Sequence, residues 1–539
     1  MKKNHFIHAH SNVPTLDRRQ LMKHFAQASM IGAFPLASAC SDSGSQSQTN
    51  QSDAQNQTND QNPMANQTTD SMMADQFMSD EERLDRAMDS MMEVPPLSVD
   101  PSKPWWLQDN FAPVEETEAT DLPVTGSIPS ALHGTYIRNG SNPSSGESTH
   151  WFFGDGMVHG VRIENQTAKW YRNRYIQTPL LQGDNSVPSG GHNTSNVSAF
   201  FHADRLLTSG EIGFPYQLNP DDLSTIGTVD FEGQLQTSFT AHPKIDPNTG
   251  YMHAFGYYFF APYLTYYVID ETGAMIHQEI IAVEKPTMVH SFAITDQDVI
   301  FWECPVVFNF EAARQGADNP FEWQPEYGAR LGIMPLGGSN ADLKWVEIDP
   351  CYVFHEVNAY RNQDQIILDV CRHATAFSQY EFSENGDLFT VSRWTINMSS
   401  ETPTVHRDVV LDMQVELPTH DRRFSGRAYR YGWFVQNRPH PQTVDFGGLV
   451  QIDYQSGDMT FWDPGLAYHA SEAFFVPDSP QAAEGEGWLL TYLYNHVTQK
   501  STLAIFNAQN IATGPVAEIQ LPQRVPFGFH GIWIPSMNS

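Results

Sequence analysis

The chain has 539 residues, of which 40% are hydrophobic and 12% aromatic, enough for a large folded core. Its charge is strongly unbalanced, because 63 acidic and 30 basic side chains give a formal net charge of −33. This balance offers no basic surface to nucleic acid or to an anionic membrane, so we expect no nucleic-acid partner. Four cysteines exclude a disulfide-rich scaffold, and no stretch reaches the roughly 18 apolar residues of a membrane span.

Residues 1–39 have the pattern of a bacterial export signal. Arg18 and Arg19 are similar to a twin-arginine motif, and the apolar stretch 25–39 that follows is too short to span a bilayer. The stretch ends in an Ala-x-Ala sequence typical of signal cleavage, and Cys40 follows it directly, at the position that is lipidated in lipoproteins. We therefore expect an exported protein that is either periplasmic or anchored to a bacterial membrane through a lipidated Cys40.

Residues 40–100 have the composition of a disordered tether. Ser, Gln, Asn, Thr and Asp dominate this segment, and no Lys or Arg occurs between Lys23 and Arg83. Such a segment buries too little apolar surface to offset the entropy lost on ordering. The sequence thus predicts an export signal (1–39), a tether (40–100) and one folded domain (101–539).

The folded domain is predicted to be all-β. Short runs rich in β-branched and aromatic residues are bounded by turn signals, as where Tyr266–Ile269 is followed by Asp270–Gly273. Only Phe310–Ala317 suggests a short helix. The domain is too long for one sandwich. At about 40–50 residues per propeller blade, its length would fill about nine or ten blades, whereas propellers usually have at most about eight. A propeller therefore requires long insertions outside its blades.

Four histidines share one setting, since each lies on or beside an apolar, strand-like stretch: His242, His290, His355 and His530. Their separations of 48, 65 and 175 residues exclude a local metal-binding finger. They converge only if strands from distant parts of the chain point at one axis, as the inner strands of a propeller do. An all-imidazole site suits Fe, Zn, Cu or Ni. For any one of them alone, the alternative is a hydrogen-bonded core histidine.

Other catalytic motifs are missing from the sequence. His355-Glu356 begins like the zinc-protease motif HExxH, but Ala359 stands where the second histidine belongs. The sequence contains no nucleophile elbow, phosphate-binding loop or paired CxxC motif. Three cysteines in apolar stretches are predicted to be core residues: Cys304, Cys351 and Cys371.

The chain resembles a bacterial member of the carotenoid cleavage oxygenases, the family that also contains the stilbene-cleaving dioxygenases. Five segments carry the resemblance and run in family order: Gly134–Pro143 (GTYIRNGSNP), His150–Gly160 (HWFFGDGMVHG), Ala241–Pro247 (AHPKIDP), Cys351–Tyr360 (CYVFHEVNAY) and Phe529–Gly531 (FHG). The resemblance implies a seven-bladed β-propeller with a helical and loop cap over an axial iron site. It also implies Fe(II) held by the four histidines above.

The resemblance further implies three glutamates that accept hydrogen bonds from the ligand imidazoles. By local match they are Glu211, Glu416 and Glu472. A carboxylate on the outer ring nitrogen fixes the tautomer and makes the imidazole a better ligand, and three carboxylates also offset the charge of a 2+ ion. The alternative for each is a solvated surface acid.

Two residues are predicted near the substrate or oxygen. Val197 stands where cleaving relatives often have a threonine near the sixth iron position, and a valine there blocks the position in part without donating a hydrogen bond. Trp302 and the aromatic run Tyr257–Tyr267 are predicted to line an apolar tunnel, with ordinary strand core as the alternative.

Three functions follow from these observations. The first is an iron dioxygenase that uses O2 to cleave a double bond of a carotenoid or apocarotenoid. The second is the same chemistry on a stilbene or phenylpropenoid. Stilbene-cleaving relatives carry a lysine just before the first of the three glutamates, and Gly210 at that position favours the first function. The third is a non-catalytic propeller that binds a hydrophobic ligand.

Overall fold

The computed structural model describes residues 97–184, 193–317, 319–377, 389–440 and 442–536. The predicted export signal, its lipidation site and nearly all of the predicted tether lie outside these ranges. Within them, no helix is both long and apolar enough to cross a membrane.

Strands dominate the described chain, as the sequence predicts. Helix α1 spans Phe310–Arg314 and lies inside the stretch predicted to be helical. The Asn309 side chain caps it by accepting hydrogen bonds from the backbone N–H groups of Glu311 and Ala312. Short 3-10 helices supply the other helical turns of the described residues: Trp105–Leu107, Asp109–Phe111, Trp151–Phe153, Pro325–Tyr327, Arg422–Phe424 and Ile511–Thr513.

Five strands precede the first complete blade: β1 (Glu118–Thr120), β2 (Val124–Gly126), β3 (Gly134–Ser141), β4 (Gly156–Glu164) and β5 (Thr167–Tyr175). Blade 1 then contains four successive antiparallel strands: β6 (Ser198–His202), β7 (Arg205–Ser209), β8 (Tyr216–Leu218) and β9 (Thr225–Thr228). Blade 2 has the same order: β10 (Lys244–Ile245), β11 (Met252–Tyr257), β12 (Leu264–Ile269) and β13 (Met275–Ile280).

Blade 3 is interrupted by a two-stranded insertion, and the strands of this region are β14 (Phe292–Ile294), β15 (Asp298–Glu303), β16 (Val306–Phe308), β17 (Phe321–Trp323), β18 (Ala329–Pro335) and β19 (Lys344–Ile348). The sheet order of the blade is β14-β15-β18-β19, whereas β16 and β17 pair with each other. Blade 4 contains β20 (Tyr352–Asn362), β21 (Gln365–His373), β22 (Phe389–Asn397) and β23 (Thr404–Leu411). Blade 5 contains β24 (Val415–Thr419), β25 (Tyr431–Arg438), β26 (Asp445–Asp453) and β27 (Met459–Trp462).

The last two blades combine strands from both ends of the domain. The remaining strands are β28 (Tyr468–Ala470), β29 (Phe474–Pro477), β30 (Gly487–Asn495), β31 (Lys500–Asn507), β32 (Ala517–Gln520) and β33 (Gly531–Pro535). In blade 6, β2 pairs with β32, and β28 and β29 both pair with β30. In blade 7 the order is β1-β5-β4-β3-β33, with Ile137 opposite Ile532. These pairings close the ring of a seven-bladed propeller.

The inner edges of the blades meet at the propeller axis. β6, β10, β14, β20, β24 and β33 each lie at one edge of their sheets. Edge strands of different blades contact one another, since β14 contacts β20, β20 contacts β24, and β33 contacts β6. Side chains from distant parts of the sequence therefore come together along this axis.

The seven-bladed architecture implied by the family resemblance is confirmed, and so is the expectation that a propeller of this length carries long insertions outside its blades. The surplus length lies in connections. Residues 304–328 contain β16, α1 and β17, and residues 176–197 separate β5 from β6. The predicted cap contains little helix, because α1 has only 5 residues and is the one α-helix in the described parts of the chain.

Two turns connect strands of blade 2, and the second of them is the turn predicted after Tyr266–Ile269. In the turn at 246–250, Asp246 accepts a hydrogen bond from the backbone N–H of Asn248, and Gly250 has a φ of 74° that favours glycine. In the turn at 270–273, Asp270 accepts hydrogen bonds from the next residues in the same way. The three predicted core cysteines are buried free thiols.

Candidate metal centre

The four predicted histidines lie at the inner edges of four different blades. His242 and His290 each precede an inner strand by two residues, β10 in blade 2 and β14 in blade 3. His355 lies near the start of β20 in blade 4, and His530 directly precedes β33 in blade 7. The closure of the propeller therefore brings together residues that are far apart in the sequence.

The imidazoles converge on one point. Each offers one ring nitrogen, and these four atoms lie within 4.8 Å of one another. The Nε2 atoms of His242 and His290 are 2.9 Å apart, and Nε2 of His355 lies 3.2 Å from Nε2 of both His290 and His530. Two nitrogens bound at right angles, each about 2.1 Å from one ion, are about 3 Å apart. The observed spacing fits a single transition-metal ion.

The hydrogen-bond partners of the rings support the same interpretation. The Nδ1 atoms of His355 and His530 each lie 2.7 Å from a carboxylate oxygen, and Nδ1 of His290 is also bonded to a carboxylate. A carboxylate accepts a hydrogen bond, so Nδ1 of each neutral ring carries the proton and Nε2 presents a lone pair. Lone pairs that face one another at about 3 Å repel unless a cation lies between them. The donor set thus has the chemistry of a metal site.

The three predicted glutamates are the carboxylates that accept these hydrogen bonds. Glu211 bonds Nδ1 of His290, Glu416 bonds Nδ1 of His355, and Glu472 bonds Nδ1 of His530. They come from blades 1, 5 and 6, the three blades that supply no histidine to the cluster. Each blade of the propeller therefore contributes one side chain to the site.

Local strand irregularities coincide with two of these residues. The pairing of β20 with β21 shifts register between Val353 and Glu356, so His355 lies in a bulge. The pairing of β24 with β25 shifts after Glu416, and Leu417, the next residue, has a φ of 52°. Bulges redirect side chains and occur next to active sites. Here they accompany a histidine and a glutamate that are bonded to each other.

His242 differs from the other three histidines. Among the described residues, no carboxylate accepts a hydrogen bond from its ring. Burial, followed by the proximity of His290, His530 and His355, holds the pKa of His242 well below its ordinary value. The ring therefore stays neutral, which is the form that binds a metal.

The pKa values of His355 and Glu416 also suit a metal ligand and its partner. Burial lowers the pKa of His355, although Glu416 opposes the shift. Burial opposes ionisation of Glu416, but His355 and His373 outweigh it and hold the carboxyl pKa well below its usual range. The imidazole is thus neutral and the carboxylate charged, and the carboxylate offsets part of the charge of a bound cation.

Two residues beside the site were not predicted to have roles there. The Tyr257 hydroxyl donates a hydrogen bond to the second oxygen of Glu211. Nε2 of His373 lies 2.7 Å from the second oxygen of Glu416. The sequence marks Tyr257 only as part of the aromatic run Tyr257–Tyr267. No motif marked His373, since its connection to the site depends on the pairing of β20, β21 and β24.

The two predicted pocket residues have different surroundings. The Val197 carbonyl accepts a hydrogen bond of 3.1 Å from the backbone N–H of His530, which places Val197 beside the metal cluster. Trp302 is only 1% exposed, belongs to the core around blades 2 to 4, and donates from its indole nitrogen to the Val353 carbonyl at 3.1 Å. These contacts fit the core alternative for Trp302, and its place in a tunnel wall stays a prediction.

The family is established by comparison with known proteins. Residues 111–535 match the family model described as "Retinal pigment epithelial membrane protein". The chain belongs to this family. A carotenoid cleavage oxygenase of Mycobacterium tuberculosis is 34% identical over 505 residues, covering 80% of this chain and 97% of that protein. The carotenoid cleavage oxygenase resemblance predicted from the sequence is thus confirmed.

Solved structures agree with the propeller fold of this family member. A lignostilbene dioxygenase of Pseudomonas brassicacearum matches with a TM-score of 0.74 and 27% identity, over 81% of this chain and 100% of that one. A cobalt-substituted Synechocystis apocarotenoid oxygenase matches with a TM-score of 0.69 and 26% identity, over 78% of this chain and 96% of that one. The second structure indicates that a transition metal can be exchanged into a site of this family.

Proposed function

We propose that the protein is a non-haem Fe(II) dioxygenase that cleaves a carbon–carbon double bond of a carotenoid or apocarotenoid. The observation that carries the proposal is the convergence of four imidazole Nε2 atoms, three of them backed by carboxylates, in a chain of the carotenoid cleavage oxygenase family. Imidazole ligands suit several transition metals. Iron is the proposed metal because the reaction requires activation of O2.

The proposed reaction consumes one alkene and one O2 and yields two carbonyl products, so each oxygen atom ends in a different product. Bound Fe(II) supplies the activation of O2. The chain supplies the histidines that hold the metal, and Glu211, Glu416 and Glu472 fix the tautomer of three of them. No side chain is required as a nucleophile or as a proton donor, which agrees with the absence of a nucleophile motif from the sequence.

Aromatic side chains beside the metal cluster support an apolar substrate. Phe529 directly precedes the ligand His530, and its ring centroid lies 4.9 Å from that of Trp151 and 5.7 Å from that of Phe152. Phe153, the next residue along the chain, is 45% exposed. The chain neighbour of His530 thus belongs to an aromatic cluster, and the next residue after Phe152 is at the surface. A polyene bound against apolar surface of this kind gains affinity from burial, at about 25 cal/mol per Å2.

A stilbene or phenylpropenoid is the second candidate substrate. It is favoured by the similarity to the lignostilbene dioxygenase. Against it stands Gly210, which directly precedes Glu211 and provides no ammonium group to hold a phenol. The carotenoid or apocarotenoid therefore remains the main proposal.

The test is to incubate the iron-loaded protein with a panel of carotenoids, apocarotenoids and hydroxystilbenes under 18O2 and to identify the carbonyl products by mass spectrometry. Prompt extraction limits exchange of the carbonyl label with water. The proposal expects paired aldehyde or ketone products from a polyene, each carrying one labelled oxygen. Binding of a polyene without product formation would favour a non-catalytic ligand-binding propeller.

We also propose that the protein is exported. The support is the sequence pattern at Arg18 and Arg19, the apolar stretch after it, and Cys40 at its end. The twin-arginine route carries folded proteins, which suits an enzyme that loads its metal before export. A lipid on Cys40 would tether the catalytic domain to a membrane.

A further inference from the structure

The carboxylates that hold the ligand histidines are themselves held by other donors. Each of the three glutamates uses one oxygen for a histidine of the cluster. The remaining oxygen of Glu472 accepts a hydrogen bond of 2.8 Å from the backbone N–H of Gly531. The remaining oxygens of Glu211 and Glu416 instead accept hydrogen bonds from side chains of other residues. Those side chains can be replaced without altering the backbone.

Tyr257 is the outer donor to Glu211. It ends β11 of blade 2 and its side chain is only 3% exposed. Its hydroxyl bonds Oε2 of Glu211, while Oε1 of the same carboxylate bonds His290. Burial and the charge of Glu211 raise the pKa of the Tyr257 hydroxyl well above its ordinary value, so the group stays protonated and donates.

His373 is the outer donor to Glu416. It ends β21 of blade 4, and its Nε2 lies 2.7 Å from Oε1 of Glu416, while Oε2 of that carboxylate lies 2.7 Å from Nδ1 of His355. The His373 ring is stacked on Phe389, with centroids 4.6 Å apart and planes 17° from parallel. The stacking fixes the plane of the ring and so the direction of its N–H group.

We propose that Tyr257 and His373 are positioning residues of the metal centre, which hold Glu211 and Glu416 in the orientation that directs His290 and His355 at the metal. The inference rests on the proposed metal binding by the four histidines. A carboxylate with a donor on each oxygen cannot rotate freely about its terminal bond, so the imidazole bonded to it keeps its direction. Neither residue touches the metal position itself, and both act through a glutamate.

The expected effect is on the metal centre more than on the fold. Without its outer donor, the carboxylate turns towards other partners or water, and the histidine bonded to it loses its fixed orientation. Removal of a group that orients a metal ligand typically lowers metal affinity by about 10–100-fold. Tyr257 and His373 act through a glutamate and so are one residue further from the metal. We therefore expect their loss to lower metal affinity by about 10-fold and to change the ligand field of the metal.

The test uses the full chain loaded with Co(II), whose visible absorption reports the geometry of its ligands. Tyr257→Phe removes one hydroxyl, and His373→Leu removes one N–H donor. Tyr266→Phe is the matched control, because Tyr266 is also buried in blade 2 and its hydroxyl contacts His253 and Gly337 rather than Glu211. We expect each of the first two variants to bind Co(II) about 10-fold more weakly with an altered spectrum, and the control to match the wild type.

The outcomes separate this inference from the proposed function. If the wild type itself fails to bind Co(II) and Fe(II), the metal proposal fails. If the wild type binds Co(II) and both variants keep its affinity and spectrum, the positioning roles are wrong. Equal losses in Tyr257→Phe and Tyr266→Phe would show a general packing effect and would also overturn them. His373→Gln retains an N–H donor, so it should recover part of the loss, and it replaces His373→Leu if that variant does not fold.

Discussion

His355 and Glu416 come from adjacent blades, yet Nδ1 of the imidazole lies 2.7 Å from Oε2 of the carboxylate. The same oxygen accepts a hydrogen bond from the backbone N–H of Leu417, also at 2.7 Å. These two donors hold Oε2, and His373 on Oε1 completes the orientation of the carboxylate. The direction of the His355 lone pair is therefore a property of the assembled propeller.

Loss of one clustered histidine should remove the metal. His290→Ala and His355→Ala each leave three imidazoles, and we expect bound iron and activity to fall below detection when the protein is measured by metal analysis after gel filtration. His277→Ala is the control, because His277 lies in blade 2, bonds the Gly338 carbonyl of blade 3 and is not in the cluster. Full iron content in both cluster variants would contradict the ligand assignment.

Neutralising a supporting carboxylate should weaken metal binding less severely. Glu211→Gln and Glu416→Gln keep the size of the side chain but remove the charge that stabilises the bonded imidazole. We expect about 10–100-fold weaker iron binding, measured by competition with a chelator of known affinity. Glu303→Gln is the matched control, since Glu303 is a buried carboxylate bonded to Tyr327 and Arg330. Comparable weakening in that variant would argue against a specific effect at the metal centre.

Substrate preference should follow from Gly210. We expect kcat/KM for an apocarotenoid or carotenoid to exceed that for a 4-hydroxystilbene, because the site lacks an ammonium group at this position. A Cβ atom added at Gly210 would have Ser195 N as its nearest neighbour, at 3.5 Å, which is an ordinary van der Waals contact.

The Cβ atom of Gly210→Lys therefore meets no clash, but this variant should not by itself create efficient stilbene cleavage, since the rest of a phenol pocket must also match. Both substrates are measured side by side with the wild type and this variant. Faster 4-hydroxystilbene turnover by the wild type would reverse the preference and favour the second candidate.

Export should depend on the arginine pair. Replacing Arg18 and Arg19 together by lysine keeps the charge but removes the pair that the twin-arginine route recognises, so the precursor should accumulate in the cytoplasm. Fractionation and immunoblotting measure its distribution. A change of Lys23 to Arg serves as a control in the same segment. An unchanged periplasmic or membrane-bound yield in the double variant would refute the proposed route.

Much of the fold was predictable from local patterns. The run predicted at 266–269 lies in strand β12, the turn predicted at 270–273 follows it, and the helix predicted at 310–317 is present in shortened form. These predictions succeed because strand and turn preferences depend on neighbouring residues. The number of blades was not predictable from length, because insertions such as 304–328 add residues without adding a blade.

The sequence by itself singled out the four clustered histidines by their shared apolar, strand-like setting, and the family resemblance of its motifs implied the three glutamates. Only the tertiary structure decided which carboxylate holds which imidazole, that His242 differs from the other three, and that Tyr257 and His373 reach the carboxylates. It also decided that Trp302 is buried. The physical reason is that these hydrogen bonds and contacts join strands distant in the chain, and their geometry exists only after the ring of seven blades has closed.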